Sequence, residues 1–331
     1  MIIKNIALSN FRCHTGYRLD FERQTTQILG ENGWGKTSIL EAIYLAVRGK
    51  SFKAVDREIL RRGAEYYRVE LDFLDGEKTV VTYDAAAARK NFLVGDKKWA
   101  RLPKKNRYPV VLFEPVDLSL ITASPARRRE YFDRFLAQLS EGYSNSLSRY
   151  NRALKQRNEY LKREFLRRED LFPWDILMAK YGVALRTERA GLVAALNDRL
   201  TGVYRGIAEN RDEVALAYES YTEEVGESEY LRLLNLDFER DRLVGHTNFG
   251  VHKDDYTFLF NGAVADGTAS RGETRSIILA LKFIEAEMLV EGLGRRPLVL
   301  LDDVFSELDE TRQKALVKNF QENQVILTSV S

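Results

Sequence analysis

The sequence predicts an α/β fold interrupted by a mainly helical insertion. Three observations carry this reading. The run TTQILG leads straight into a glycine-rich turn and a helix; residues 66–100 alternate in the manner of paired antiparallel strands; and residues 126–170 lack proline and β-branched runs before β patterning returns towards the C-terminus. At 331 residues the chain is long enough for two domains, or for one domain carrying a large insert. The expected division is a discontinuous head, residues 1–120 and 241–331, around an inserted mainly helical arm, residues 121–240.

The elements follow in order. MIIKNIALSNF and YRLDF read as strands, and Ile39, Ile43 and Leu45 to Val47 fall at helical spacing behind the glycines. YRVELDFLDG and EKTVVTYD form a hairpin about Asp75-Gly76, and FLVGDKKW a further strand pair turning at Gly95-Asp96, giving an antiparallel β layer. After RYPVVLF and Pro115 the pattern changes: residues 126–170 hold twelve Lys/Arg against seven Asp/Glu, which reads as a long basic helical segment. A second helix spans about Trp174 to Ile207. Residues 209–241 then reverse sign, with eleven acids against three bases, which suggests an exposed arm with a solvated edge or a contact for a basic partner. The last ninety residues return to hairpin-like β, a helix from Glu273 to Glu291, the strand PLVLLDD, a short helix and the strand QVILTS.

Composition excludes several classes. With 44% hydrophobic and 30% charged residues the chain is neither disordered nor membrane-embedded. No run of 18 apolar residues exists and the N-terminus has no basic region followed by an apolar one, so no membrane partner and a cytoplasmic location are expected. The single cysteine, Cys13, cannot form an intramolecular disulfide, and no Cys/His cluster has the spacing of a zinc site. A net charge of +2 is too balanced to indicate nucleic acid by itself.

The sharpest signal is Gly30-Glu31-Asn32-Gly33-Trp34-Gly35-Lys36-Thr37, which fits G-x-x-x-x-G-K-[ST] between a strand and a helix. Gly30, Gly33 and Gly35 let successive backbone N–H groups, Asn32 among them, turn inward around an anion, and the helix N-terminus adds partial positive charge. Lys36 then neutralises the β- and γ-phosphates of ATP, Thr37 offers its hydroxyl to Mg²⁺, and Ser38 continues the helix at the edge of the site. The bland alternative is a glycine-rich turn with a solvated lysine.

A second site lies at Leu298-Val299-Leu300-Leu301-Asp302-Asp303, an apolar run ending in two acids, as at the carboxyl end of a buried parallel strand. Neighbouring residues on a strand face opposite ways, but the turn at its end can bring both acids to the phosphates. Asp302 would hold Mg²⁺ and Asp303 polarise the attacking water. The alternative is a pair that caps the helix near Ser306.

With Ser306-Glu307-Leu308-Asp309 the tail LLDDVFSELD resembles the Walker B and D-loop of ABC-type ATPases, and more narrowly bacterial RecF. Asn10-Phe11-Arg12, the block Pro125 to Asp133, Leu154-Lys155-Gln156-Arg157-Asn158 and Gly250-Val251-His252-Lys253-Asp254-Asp255 extend the likeness over nearly the whole chain. The resemblance implies an ABC-type P-loop ATPase head with a mixed sheet and antiparallel β layer. It also implies a recombinational repair ATPase that dimerises on ATP, engages DNA and works with RecO and RecR to load recombinase at gaps. Related heads touch the nucleotide with an arginine at the position of Arg12. In such heads a signature segment from one subunit completes the other's site, and the matching stretch is Ser270-Arg271-Gly272-Glu273. Ser270, Gly272 and Glu273 are thereby assigned to the partner's nucleotide, although S-x-x-E before Ile277, Ile278, Leu281 and Ile284 is equally a capping box. Arg271 stands where RecF chains usually carry glutamine, either adding charge near the γ-phosphate or turning to solvent.

Other departures bear on rate. The segment after VVLF reads Glu114-Pro115-Val116-Asp117 without the glutamine of a Q-loop, and Thr328-Ser329 follows QVIL where transporter-type heads have a histidine. Slow hydrolysis is expected. Gly250-Val251-His252-Lys253 differs from the glycine-proline-histidine-arginine of RecF and is read as a β-turn with a structural histidine. The chain ends at Ser331 where relatives typically continue, as a short natural member or a trimmed chain.

Phosphate neutralisation needs clustered Lys/Arg. The candidate DNA contacts are Lys53, Arg61, Arg62, Lys97, Lys98, Lys104, Lys105 and Arg127-Arg128-Arg129. They would contact the backbone of double-stranded DNA near single/double-strand junctions, without sequence readout. The leading function is an ATP-gated homodimeric DNA clamp with weak, DNA-stimulated hydrolysis as its reset. The alternatives are another SMC-like DNA-maintenance ATPase, for which an insert of about 120 residues is too short to form long coiled coils, or a P-loop kinase or GTPase that phosphorylates a small acceptor or switches without DNA.

Overall fold

The computed structural model describes residues 2–220 and 226–330. Met1, residues 221–225, within the acidic stretch, and Ser331 lie outside the described residues. In chain order the first elements are β1 (Ile3–Phe11), β2 (His14–Asp20), β3 (Thr25–Leu29), α1 (Lys36–Arg48), α2 (Asp56–Ile59), β4 (Tyr66–Phe73), β5 (Lys78–Asp84), β6 (Arg89–Val94), β7 (Lys97–Trp99) and β8 (Val110–Phe113). There follow α3 (Pro125–Leu139), α4 (Glu141–Leu161), α5 (Phe172–Ala208), β9 (Val214–Glu219), α6 (Glu227–Leu236), α7 (Phe238–Val244), β10 (Asp255–Phe260) and β11 (Ala263–Val264). The last are α8 (Arg271–Leu293), β12 (Leu298–Leu301), α9 (Glu310–Asn319) and β13 (Val325–Ser329).

These group into two compact units, Met1–Asp117 with Glu285–Ser331, and Leu118–Ile284. The expected insert ends at residue 240, whereas the second unit runs on to Ile284. The reason is pairing: β9 lies antiparallel to β10, with Val214 opposite Phe260 and Glu219 opposite Asp255, and β10 pairs in turn with β11.

In the first unit the strands segregate by direction. The order β3-β13-β12-β8 is wholly parallel, and β2-β1-β4-β5-β6-β7 is antiparallel. The parallel strands read as continuous apolar runs because both faces are covered: every residue of β8 and β12 is buried. Parallel pairing puts the carboxyl ends of β3 and β12 on the same edge, and the glycine turn and Asp302-Asp303 leave from there. The antiparallel sheet alternates instead; Tyr67, Val69, Leu71 and Phe73 of β4 face inward while Tyr66 and Glu70 do not. Helix α1 is apolar nearly all round and packs in one core with Ile6, Leu8 and Phe11 of β1, Val69 and Leu71 of β4, Leu300 of β12 and Ile326 of β13. That burial fixes the first turn of α1, where the site begins.

In the second unit Ser124 and Ser140 accept the N–H of Arg127 and Tyr143, capping α3 and α4. Its interior holds buried ion pairs among the apolar side chains. Arg157 on α4 is wholly buried and donates to Asp175 on α5 (2.7 Å), Asp241 on α7 (2.6 Å) and Thr247 (2.8 Å). Arg189 on α5 donates to Asp133 on α3 (2.8 Å) and to the Val251 carbonyl (2.8 Å). The basic and acidic blocks that suggested solvated faces therefore meet partly inside, and Asp241, in the acidic stretch, is fully buried.

Candidate functional site

Between β3 and α1 the chain turns through Gly33 and Gly35 at φ of 84° and 95°, the left-handed region that glycine enters without strain. At Gly35 space forbids a side chain as well, since a Cβ would collide with Cys13 Sγ and lie 2.6 Å from His14 Nε2. The Gly35 carbonyl pairs with that ring nitrogen at 3.1 Å, which ties the turn to β2. No side chain caps α1 and no acid sits in its first turn. Its leading N–H groups are left for an anion. The Lys36 ammonium, buried, rests on the loop's own carbonyls, Gly30 O at 2.7 Å and Glu31 O at 3.2 Å.

The carboxylates lie beside it. Thr37 Oγ1 donates to Asp302 Oδ1 at 2.7 Å, and Lys53 Nζ stands 3.6 Å from Asp302 Oδ2. Thr328 on β13 touches both aspartates: its hydroxyl accepts the Asp303 N–H at 2.8 Å and donates to Asp302 Oδ1 at 3.2 Å. Asp303 adopts φ of 52°, unusual for a residue with a side chain, and its Oδ1 is buried without a hydrogen-bond partner. A cavity of about 530 Å³ opens over the loop, lined by Arg12, Asn32, Gly33, Gly35, Lys36, Thr37, Ser38 and Asp303, with Cys13, Glu58, Leu60 and Arg62. Its size suits a nucleotide. Uncapped helical N–H groups, a lysine and an unpartnered carboxylate oxygen suit a triphosphate with an attacking water. Among the described residues no group of three or more His, Cys, Asp or Glu converges. Thr37 and Asp302 would give Mg²⁺ two hard oxygens, leaving its other positions to phosphate and water.

Arg12, at φ of 53°, lies on the cavity wall in a bidentate pair with Glu41, both contacts 2.8 Å, and its Nη1 donates to the Glu58 carbonyl at 3.1 Å. The Glu41 hydrogen bond raises the guanidinium pKa, so the arginine stays charged. Ser51 Oγ donates to the same carboxylate at 2.5 Å. Sequence reasoning missed Glu41, although a lone acid in the otherwise apolar stretch Ile39–Val47 was a signal. At Thr328 the sequence shows only the absence of a histidine and gives no sign of the contacts with both aspartates.

In the second unit Ser270 and Glu273 form the reciprocal capping box, Ser270 N to Glu273 Oε2 at 2.6 Å and Glu273 N to Ser270 Oγ at 3.3 Å, with Arg271 and Gly272 opening α8. The expected DNA contacts divide. Arg61, Arg62, Lys104 and Lys105 are exposed, Arg62 at the cavity, and Lys53 lies at the carboxylates. Arg127 pairs with Glu130 at 3.0 Å. Arg128 instead faces inward in a bidentate pair with Asp255 (2.8 and 2.7 Å), and Arg129 donates to the Asp254 carbonyl at 2.6 Å. Arg128 is thus held by a carboxylate, and Arg129 by a main-chain carbonyl, more than a hundred residues away in the chain, which a count of local charge does not reveal.

The model of the RecF/RecN/SMC N terminal domain family matches residues 2–331. The DNA replication and repair protein RecF of Lachnoclostridium phytofermentans is 34% identical over 335 residues, covering 99% of this chain and 92% of that protein. The chain belongs to the RecF family. RecF of Staphylococcus aureus is 31% identical over 347 residues, covering 100% of the chain and 94% of its own length. A solved structure of the recombination mediator protein RecF-ATPrS in the RecFOR pathway superposes with a TM-score of 0.89 at 28% identity, over 99% of this chain and 92% of that one. The corresponding RecF-ATP structure gives a TM-score of 0.87, also at 28% identity, over 100% and 92%. The fold is accordingly the SMC-like ABC-type ATPase head of the RecF family, with parallel and antiparallel sheets and helical segments. No helix among the described residues is long and apolar enough to cross a membrane.

Proposed function

We propose that this RecF-family chain is an ATP-dependent DNA-binding protein of recombinational repair, whose ATP-bound homodimer clamps double-stranded DNA near gaps and aids recombinase loading with RecR and RecO. The observation that carries the ATPase part is the run of contacts from Thr37 through Asp302 and Thr328 to Asp303, next to Lys36 and an uncapped helix N-terminus. Relatives described with ATP and in the RecFOR pathway support the wider reading.

In this mechanism Lys36 leaves the Gly30 and Glu31 carbonyls for the β- and γ-phosphates. The loop N–H groups, including those of Asn32 and Gly33, hold the phosphate oxygens, Ser38 borders them, and Arg12, braced by Glu41, adds charge at the wall. Thr37 and Asp302 would hold Mg²⁺, which would supply positive charge against the charge that develops during transfer. Asp303 orients the water that attacks the γ-phosphorus. We assign the first unit to nucleotide and DNA, and the helical insertion to partner contact. Ser270, Gly272 and Glu273 of a second copy complete the pocket, their helix N-terminus facing the γ-phosphate. Missing the transporter histidine and the Q-loop glutamine, the site hydrolyses slowly, and DNA accelerates it.

ATP turnover measured with and without duplex-junction DNA tests this reading. Slow turnover, raised by DNA and abolished by Asp302→Ala, is expected; a phosphorylated small acceptor, or no turnover in either condition, would contradict it.

A further inference from the structure

Thr328 is fully buried in the last turn of pairing between β13 and β3, one residue beyond Leu327, which lies opposite Leu301 at the end of β12. Its side chain is β-branched and stiff at χ1, so the hydroxyl direction is set by the strand. That hydroxyl has one proton and two lone pairs. The proton goes to Asp302 Oδ1 at 3.2 Å, and a lone pair takes the Asp303 N–H at 2.8 Å. The Leu301 carbonyl, at 3.5 Å, is too distant to compete.

The two aspartates are thereby made different. Asp302 is tied down on one side: Oδ1 takes Thr37 and Thr328, while Oδ2 faces Lys53 at 3.6 Å. Asp303 is held in the left-handed region, its N–H turned back to β13 and its Oδ1 buried and unpartnered. A non-glycine residue persists there only when its surroundings over-determine it, and the Thr328 hydroxyl is the polar anchor that does so.

We propose that Thr328 is a positioning residue of ATP hydrolysis: it turns the Asp303 backbone so that the free carboxylate oxygen meets the attacking water. The proposal rests on the ATPase reading. In the step concerned the water oxygen bonds to the γ-phosphorus, the bond to the β,γ-bridging oxygen breaks, and ADP leaves with that electron pair. The water proton passes to Asp303 and on to the released phosphate. Thr328 itself touches neither nucleotide nor water. In this chain it does from the backbone side part of what an ordering side chain such as histidine does elsewhere.

The test compares Thr328→Val, which keeps the shape and removes the hydroxyl, with Thr328→Ser, which restores it. Titration with a fluorescent N-methylanthraniloyl ATP, with and without Mg²⁺, and single-turnover hydrolysis are measured on the full chain, with thermal melts as a fold control. For Thr328→Val we expect nucleotide affinity within about threefold of wild type and a hydrolysis rate lower by ~10- to 100-fold, the range for loss of one preorganising contact. Thr328→Ser returns the rate to within about threefold. An unchanged rate in Thr328→Val overturns the proposal. So does a parallel loss of affinity and rate that serine does not rescue, which would mean a role in folding alone. Should Thr328→Val fail to fold, Thr328→Ala with the same serine rescue decides by the same split. Absence of hydrolysis by wild type would instead refute the ATPase reading, a distinct outcome.

Discussion

Arg157 and Asp241 meet at 2.6 Å with neither side chain reaching solvent. Asp175 takes a second edge of the guanidinium at 2.7 Å, so one arginine joins α4 to α5 and α7. Burial still raises the Asp175 pKa, as expected when desolvation exceeds the gain from one partner. Removing the arginine leaves two carboxylates buried together. Arg157→Met should cost about 3–5 kcal/mol of stability, read by urea denaturation of the full chain. A loss under 1 kcal/mol would show that the pair does not clamp these helices.

Arg12 owes its place on the cavity wall to Glu41. Glu41→Gln keeps the size but removes the charge that both guanidinium edges contact, so the arginine is freed to wander. ATP should bind about tenfold more weakly, and Arg12→Ala should weaken it by a similar factor, corresponding to roughly 1.4 kcal/mol each. The double variant should be little worse than either single one, because both remove the same unit. Additive losses by equilibrium titration would place the two residues in separate roles.

Charge that faces solvent should govern DNA, and charge that faces inward should not. Each of Arg61→Ala, Arg62→Ala, Lys104→Ala and Lys105→Ala that removes a phosphate contact should lower the slope of log affinity against log salt by ~0.9 on duplex DNA. Arg128→Met, cut off from Asp255, should lower the melting temperature and leave the slope unchanged. A slope altered by Arg128→Met in still-folded protein would reverse this assignment.

His252 carries the pH signature of the second unit. Its Nδ1 accepts from Tyr150 Oη at 2.8 Å and its Nε2 donates to the Thr247 carbonyl at 3.0 Å, so the neutral ring is the form that fits. Burial pulls its pKa from 6.5 down to about 4. Between these values the unfolded chain takes up a proton that the folded chain refuses; stability contributed by the neutral ring is therefore full above about pH 6.5 and falls as pH drops towards 4. From pH 7 to 5 the loss attributable to this residue is about 2 kcal/mol. Urea denaturation of wild type and His252→Gln at the two pH values should show wild type losing more by that margin, and equal losses would refute it.

Legibility in the sequence followed distance along the chain. The glycine turn, Lys36 and Thr37 are contiguous, and the strand ending in Asp302-Asp303 carries its own apolar signature, so both were readable. The hairpin at Asp75-Gly76 and the helix behind the loop were readable for the same reason, since period and turn chemistry are local. The contacts of Thr328 and of the arginine block were not. Thr328 acquires its contacts only when β13 docks beside β12, and Arg128 finds Asp255 only when α3 packs on β10. Buried ion pairs also mimic solvated charge in any count by window, which is why the acidic and basic stretches read as surfaces. The segments that carried the family resemblance outside the loop, Pro125 to Asp133, Leu154 to Asn158 and Gly250 to Asp255, prove to converge largely on this one polar interior.

The central claim, that ATP joins two copies of this chain and hydrolysis parts them, is tested most directly by sedimentation of Asp303→Asn. With ATP and Mg²⁺ the variant should run as a stable dimer, and with ADP as a monomer; adding Ser270→Arg should abolish the dimer while ATP binding persists. A monomer at saturating ATP, or wild-type monomer that hydrolyses ATP at the same specific rate at every dilution, would contradict the account.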